Sequence, residues 1–213
     1  LCTYLVYFNV FKAEEINTNT YNTKQNDRKS DIQRGQILAA DGEILAATTV
    51  DAEGKETRVY PYGQVFSHVV GYYENGKSGL EAKCDYDLTD SHISFLEQLE
   101  YTAEGQKVLG DNVYLTLDTD LQEAAYNALG AYRGAVVVME ASTGKILAMV
   151  SKPDFDPGTI SENWEFLTTD DAGSPLLNRA TQGLYPPGST FKILTTLAFM
   201  RQNPDYQNYT YEC

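Results

Sequence analysis

Hydrophobic residues in the first quarter of the chain follow a hairpin pattern. Ile37-Leu38 and Ile44-Leu45 stand on either side of Asp41-Gly42, a pair that favours a tight turn, so residues 36–50 are predicted to form a β-hairpin. Residues 51–58 are polar and charged, and they are predicted to form a loop.

A strand and a helix are predicted next. Val113, Leu115 and Leu117 alternate with less apolar residues, as in a β-strand. Thr119 and Gln122 have the spacing of a capping box, and Gly130 suits the end of a helix, so residues 120–129 are predicted to be helical.

The central part of the chain predicts a second strand pair, over residues 135–151, because two apolar runs are joined by a short segment with a glycine. Residues 153–164 are predicted as a loop. The pattern leaves two segments open: 65–73 is a strand or a short helix, and 91–101 is a helix or an irregular stretch. Together the elements predict an α+β fold, with helices packed on an antiparallel sheet.

The segment YPPGSTFKILTTLAFM, residues 185–200, predicts a helix that begins near Ser189. Pro-Pro-Gly blocks any helix from upstream. Apolar residues then recur at helical spacings of three and four, at Phe191, Leu194, Leu197 and Ala198. Ser189 and Lys192 are three residues apart, and therefore share one helical face.

Ser189 and Lys192 are the candidate catalytic residues. A serine hydroxyl is a weak nucleophile unless a neighbouring base takes its proton. Lysine can be that base only in its neutral form, which burial or a neighbouring cation would favour. The alternative interpretation is structural: Ser189 would cap the helix, because serine is a favoured N-cap, and Lys192 would be an ordinary solvated lysine.

The same spacing occurs a second time, at Ser142 and Lys145. A chain of this length should contain about one S-x-x-K by chance, since both residues are common. Ser142 and Lys145 lie between the two predicted strands, in a segment typical of a turn, where they would have no fixed shared face. We therefore assign this copy to the turn.

Composition excludes some functions. The net charge of −14 argues against nucleic-acid binding, because binding to phosphates needs a basic surface. The hydrophobic fraction of 42% is enough for a core. The three cysteines, Cys2, Cys84 and Cys213, are widely spaced and predict neither a metal site nor a disulfide framework. Nothing in the sequence predicts a cofactor.

Several segments resemble the penicillin-binding proteins, in that family's order. Residues 134–157 and 178–192 resemble the start of the transpeptidase domain. Residues 34–46, 78–88 and 112–129 resemble the pedestal that precedes it in class B members. The resemblance implies a β-rich, dimerisation-type pedestal at 34–110, and the first part of a transpeptidase domain of the penicillin-binding-protein/serine β-lactamase type at 111–213.

The resemblance also implies a reaction and its partners. Ser189 would be acylated by a peptidoglycan stem peptide ending in D-Ala-D-Ala, and by the β-lactam antibiotics that mimic it, with Lys192 as general base. A membrane glycosyltransferase is a further partner that the resemblance suggests for the pedestal. Two alternatives stay open: a non-catalytic cell-wall interaction module, and a relative that senses or hydrolyses β-lactams.

The N-terminal residues carry a separate prediction. Residues 1–11 are mostly apolar and aromatic, whereas residues 12–33 form a mainly polar connector. Eleven residues are too few to span a membrane. The resemblance implies the outer end of a single N-terminal membrane anchor, with the catalytic part outside the cytoplasm. The alternative is a first helix of the soluble fold.

The sequence departs from the family after Ser189. The family has two further boxes, S-x-N and K-T-G or K-S-G, beyond its S-x-x-K. Here Ser161-Glu162-Asn163 and Lys77-Ser78-Gly79 both precede Ser189, and we assign them to chance. We therefore expect the chain to be a fragment of a transpeptidase, truncated after the S-x-x-K helix and inactive or very poorly active by itself.

Overall fold

A computed structural model describes Tyr4, Tyr7 and residues 32–170 and 173–210. The predicted membrane anchor at residues 1–11 and most of the connector lie outside the described residues, apart from those two tyrosines. No helix among the described residues has both the length and the apolar composition needed to cross a bilayer. The chain divides into two compact units, Leu1–Gln182 and Gly183–Cys213.

The strands of the first unit are short. In chain order they are β1 (Ile32–Gln33), β2 (Ile37–Leu38), β3 (Ile44–Val50), β4 (Glu56–Val59), β5 (Val108–Leu109), β6 (Val113–Tyr114), β7 (Gly134–Met139) and β8 (Ile146–Lys152). Among the described residues they form a parallel pair β1–β5, a four-stranded sheet in the order β4-β3-β2-β6, and an antiparallel pair β7–β8.

Helices fill the intervening segments of the first unit. They are α1 (Ser67–Val70), α2 (Gly79–Lys83), α3 (Asp85–Thr89), α4 (Phe95–Ala103), α5 (Thr119–Leu129) and α6 (Trp164–Thr169). The two open segments are thereby decided, because 65–73 contains α1 and 91–101 overlaps α4. The mixture of helices with mainly antiparallel sheets confirms the α+β prediction.

The hairpin over 36–50 is confirmed, because β2 pairs antiparallel with β3, Ile37 opposite Ala46. The loop predicted at 51–58 is wrong in its second half. β4 begins at Glu56 and extends the hairpin, with Val50 opposite Glu56. β4 is at the edge of its sheet, where charged residues are common because one side of the strand faces solvent.

The main core lies between this sheet and the helices that follow it. Ile37 and Leu45 of the sheet pack with Phe66, Val70 of α1 and Leu88 of α3, and each is at most 2% exposed. Burying a large apolar side chain contributes about 1.5–3 kcal/mol. The core therefore fixes the sheet against α1 and α3.

A buried ionic cluster links the segment before β2 and the strand β4 to α2 and α3. Arg34 donates through Nε to Glu81 Oε2 at 2.7 Å and also contacts the Asp85 carboxylate. Arg58 donates to the other oxygen of Glu81, again at 2.7 Å. Lys77 pairs with Asp85. Burial alone would raise the pKa of Asp85, but the hydrogen bond from Lys77 and the two cationic charges outweigh it and lower that pKa.

The helix predicted at 120–129 is confirmed as α5, but its predicted capping box is wrong. Asp118 is the N-cap, and its carboxylate accepts a hydrogen bond from the Leu121 N–H at 2.8 Å. The Gln122 side chain is fully buried instead. It donates to the carbonyls of Val65 and Met149 and accepts from the Met149 N–H. Gln122 therefore joins α5 to β8 and to the segment before α1.

Replacing Gln122 with leucine is expected to destabilise the chain by about 3 kcal/mol, because three part-buried backbone groups would lose their partner. Urea unfolding would measure the loss. Glu123→Leu is the matched control, since Glu123 is exposed on the same helix and its replacement should change stability by less than about 0.5 kcal/mol. Equal losses for the two variants would contradict the bridging role of Gln122.

The strand pair predicted at 135–151 is confirmed as β7–β8, with Val136 opposite Val150. One face of the pair packs on Ala125 of α5. The connection between the strands is a turn, as predicted, in which the Gly144 N–H donates to the Glu140 carbonyl at 2.8 Å. Ser142 and Lys145 are therefore turn residues.

Two other predicted elements are changed in extent. The strand at 113–117 is shorter than predicted: β6 ends at Tyr114, although the Leu115 N–H still donates to the Leu38 carbonyl. The loop predicted at 153–164 holds a turn of 3₁₀ helix at Pro157–Thr159, and α6 begins at Trp164.

Candidate active site

The segment that carries Ser189 folds into a helix start, as the pattern predicts. A 3₁₀ turn over Gly188–Phe191 leads directly into α7 (Lys192–Gln202). Gly188 has a φ of +54°. Apart from its chain neighbours and the backbone of its own helix, the described residues place no atom within 4 Å of the position that a Cβ would take. The glycine is therefore required by its backbone conformation rather than by crowding.

The hydroxyl of Ser189 does not cap this helix. Pro187 occupies the capping position of the 3₁₀ turn, and no side chain caps it. The Thr190 hydroxyl, not that of Ser189, donates to the Pro187 carbonyl. The N-cap explanation for Ser189 is thus wrong.

Backbone hydrogen bonding places Ser189 and Lys192 one turn apart. The Lys192 N–H donates to the carbonyls of Ser189 and Thr190. Residues three apart on such a turn lie on the same side of the helix. The first hydrogen bond of the turn runs from the Thr190 N–H to the Pro187 carbonyl at 3.2 Å. The N–H groups of Gly188 and Ser189 precede that bond, and N–H groups in this position favour negative charge nearby.

Ser189 and Lys192 are both exposed in the part of the chain that the structure describes. The burial expected for Lys192 is therefore not supplied by the described residues. The apolar side chains of α7 are exposed as well: Ile193 is 67% exposed and Leu194 58%. A unit of this size buries little surface by itself. Its aromatic contact is local, between Phe199 and Tyr209 at 4.8 Å between ring centroids.

The two segments that match the later family boxes but precede Ser189, Lys77-Ser78-Gly79 and Ser161-Glu162-Asn163, have local structural roles. Lys77 pairs with Asp85 in the ionic cluster, and Ser78 Oγ accepts from the Tyr72 N–H. The Ser161 hydroxyl contacts Glu74. The Asn163 amide donates to the backbone and hydroxyl of Thr159, both at 3.1 Å. These contacts explain the residues without a catalytic role.

A groove of about 480 Å³ in the first unit is bordered by His68, Phe155 and Asn178. His68 lies on α1, is 9% exposed, and its Nε2 is 3.1 Å from the Pro153 carbonyl oxygen. Its ring meets Phe155 edge to face, 5.2 Å between centroids. Burial lowers the pKa of His68, although the Pro153 carbonyl and the Asp154 charge partly oppose this.

His68 predicts a loss of stability in mild acid. The unfolded chain takes up a proton near pH 6.5, while the folded chain stays neutral until its lower pKa. Stability should therefore fall as the pH drops from about 6.5 through the folded pKa. His92 makes the opposite contribution to the pH dependence of stability, because its hydrogen bond and charge pairing with Asp111 raise its pKa.

Urea midpoints at pH 7.5 and 5.5 would test this prediction in the wild-type chain and in His68→Gln. The variant should lose less stability on acidification than the wild type. It lacks the destabilising protonation of His68 and keeps the opposite pH dependence that His92 contributes. A larger or equal loss in the variant would contradict a buried, neutral His68.

Two family models match the chain. The model described as the penicillin binding protein A dimerisation domain matches residues 34–113, and the model described as the penicillin binding protein transpeptidase domain matches residues 134–212.

Similar proteins of known name are peptidoglycan D,D-transpeptidases. A peptidoglycan D,D-transpeptidase PbpA of Mycolicibacterium smegmatis is 40% identical over 90% of this chain and 42% of the relative. The peptidoglycan D,D-transpeptidase MrdA of Escherichia coli strain K12 is 33% identical over 67% of this chain and 28% of the relative. The chain thus spans less than half the length of these relatives.

Solved structures show the same fold. The imipenem acyl-enzyme complex of penicillin-binding protein A from M. tuberculosis is 38% identical, with a TM-score of 0.72. The match covers 81% of this chain and 43% of that structure. The penicillin G acyl-enzyme complex of the same protein has a TM-score of 0.71.

Proposed function

Because the chain belongs to the penicillin-binding proteins of class B, we propose that its full-length protein is a serine D,D-transpeptidase that cross-links peptidoglycan stem peptides. Ser189 is the nucleophile and Lys192 its general base. The observation that carries this proposal is the helix start in which the Lys192 N–H donates to the Ser189 carbonyl, while the Ser189 hydroxyl has no capping role.

The proposed reaction has two steps. Neutral Lys192 accepts the proton of the Ser189 hydroxyl as the oxygen attacks the carbonyl between the two terminal D-alanines. The C–N bond breaks, the leaving D-alanine takes the proton, and an acyl-serine remains. The amine of a second stem peptide then attacks this ester, loses a proton, forms the cross-link and regenerates the Ser189 hydroxyl.

β-Lactams would react with the same serine. Attack by Ser189 on the lactam carbonyl opens the ring, and the lactam nitrogen takes the proton. The ring-opened drug stays attached, so the acyl-serine persists. The M. tuberculosis relative is described as forming acyl-enzyme complexes with imipenem and with penicillin G, which supports this part of the proposal.

The 213-residue chain alone should react slowly. Lys192 is exposed among the described residues, so they do not supply the burial that a lysine general base needs. The later family boxes, which would orient substrate and complete the oxyanion site, do not follow Lys192 in this sequence.

Location and a further partner belong to the same proposal. Residues 1–11 are the outer end of a membrane anchor, and the catalytic part lies outside the cytoplasm, where peptidoglycan is assembled. The pedestal, residues 34–110, is the surface proposed to meet a membrane glycosyltransferase. The aromatic residues of 1–11 support the anchor, since tyrosine and phenylalanine suit the edge of a bilayer.

Incubation of the full-length protein with a stem-peptide analogue ending in D-Ala-D-Ala tests the proposal. One equivalent of D-alanine should be released for each cross-link formed with an added acceptor amine, and penicillin G should stop both. Release of D-alanine without cross-linked product would indicate a hydrolase instead. No release at any substrate concentration would overturn the proposal.

A further inference from the structure

The groove beside His68 has the size of a small-molecule site and lies away from the proposed nucleophile in the chain. Its volume of about 480 Å³ is within the range of about 300–1,000 Å³ that is common for ligand pockets. All the residues that border it belong to the first compact unit, Leu1–Gln182. The groove is therefore formed within one unit.

Apolar side chains form much of the groove wall. Leu80 of α2, Met149 of β8, Phe155 and Leu176 all border it. Phe155 is only 4% exposed, and its ring meets those of His68 and Tyr72 edge to face, with 5.2 and 5.8 Å between centroids. These contacts hold the ring in place, so this part of the wall is formed before any ligand binds. Such a wall favours an apolar or aromatic ligand body.

Ser67 provides an unused hydrogen-bonding group. It borders the groove and is 0% exposed, and its hydroxyl has no hydrogen-bond partner among the described residues. A buried hydroxyl without a partner is unfavourable, and most buried polar groups in proteins have one. A hydroxyl on a bound molecule could both donate to the Ser67 oxygen and accept from it.

The charge at the groove differs from that of the whole chain. The chain has 30 acidic and 16 basic residues, yet no aspartate or glutamate among the described residues borders the groove. Lys83 of α2 does border it, and it is exposed, so it marks the outer end of the groove as the buried Ser67 marks the inner end. A lysine without neighbouring carboxylates in the lining favours an anionic group on the ligand.

We propose that the groove beside His68 binds a small amphipathic monocarboxylate that carries a hydroxyl at the end opposite its carboxylate. The carboxylate pairs with Lys83 at the outer end. The apolar or aromatic body packs on Leu80, Met149 and Phe155, and the hydroxyl bonds to Ser67. Binding is noncovalent, and the inference does not depend on the proposed transpeptidase activity.

Titration calorimetry on the full-length protein tests the proposal with three matched probes. Para-hydroxyphenylpropanoate has the carboxylate, the aromatic body and the hydroxyl. Phenylpropanoate lacks only the hydroxyl, and para-hydroxyphenylpropanamide lacks only the charge. The first probe should bind with a stoichiometry of one. The second should bind about fivefold more weakly, and the third about threefold more weakly.

Two variants should reproduce these differences from the protein side. Ser67→Ala should weaken para-hydroxyphenylpropanoate about fivefold and leave phenylpropanoate unchanged, because only the first probe has a hydroxyl to lose its partner. Lys83→Met should weaken both carboxylates about threefold and leave the amide unchanged. Lys55→Met is the control, since Lys55 is an exposed lysine between β3 and β4 that does not border the groove. It should change the affinity of none of the probes.

Three results would overturn the inference. The first is a wild-type protein that does not bind para-hydroxyphenylpropanoate at millimolar concentration. The second is a variant that weakens all three probes equally, because the hydroxyl and the charge would then not be recognised separately. The third is an effect of Lys55→Met as large as that of Lys83→Met. None of these results bears on the proposed function, which the release of D-alanine decides by itself.

Discussion

Ser189→Ala is expected to abolish covalent labelling of the full-length protein by penicillin, because no other hydroxyl is proposed to be paired with a base on a shared helical turn. Lys192→Met should retain the hydroxyl and lose its proton acceptor, which slows acylation by about 100- to 10,000-fold. Intact-mass spectrometry after incubation with a fluorescent penicillin measures both effects, since each acyl group adds a fixed mass.

The chain contains its own control for this prediction. Ser142 has the same spacing to Lys145 that Ser189 has to Lys192, but it lies in the β7–β8 turn. Ser142→Ala should therefore label like the wild-type protein. Labelling that survives Ser189→Ala and disappears in Ser142→Ala would reverse the assignment of the two copies.

The second large effect concerns the ionic cluster. Glu81→Ala is expected to destabilise the chain by about 3–5 kcal/mol, because Arg34 and Arg58 would keep their buried charges without the carboxylate between them. The Glu81 side chain is completely buried, so water cannot readily take the place of its carboxylate beside the two arginines. Denaturant unfolding of the first unit would measure the loss.

A surface ion pair provides the control for Glu81. Glu56 and Lys107 lie 2.9 Å apart, with side chains 30% and 39% exposed. Glu56→Ala should cost no more than about 1 kcal/mol, because an exposed pair contributes little. If Glu81→Ala lowered the free energy of unfolding no more than Glu56→Ala does, the buried ionic cluster would not contribute the stability claimed for it.

Elements formed by residues that are close together in the sequence were predictable from short sequence patterns. The hairpin around Asp41-Gly42, the pair β7–β8 and the helix α5 each depend on a short stretch of alternating or periodic residues. The turn at Ser142 was predictable for the same reason. In each case the hydrophobic face and the turn residues are within about fifteen positions of one another, so the sequence carries the whole signal.

Features made by distant residues were missed. Arg34 and Glu81 are 47 positions apart, and nothing in the sequence near either one shows the pairing. Gln122 fits a capping box by spacing, but its burial against β8 decides its role. β4 has a charged sequence typical of a loop, but it forms a strand because its backbone pairs with that of β3. Such outcomes depend on tertiary packing.

The candidate site was predictable in part. Pro-Pro-Gly and the apolar spacing that follows predict the helix start, and the structure has it. The environment of Lys192 could not be predicted, because it depends on which side chains surround the amine.

The central claim is that Ser189 becomes acylated, and mapping the attached mass tests it most directly. Trypsin cuts after lysine and arginine, so penicillin-treated full-length protein yields residues 180–192 as one peptide and residues 134–145 as another. The account predicts one acyl group per protein, on the first peptide, with fragmentation placing it on Ser189. An acyl group found instead on Thr190, on Ser142 or elsewhere in the protein would contradict the account.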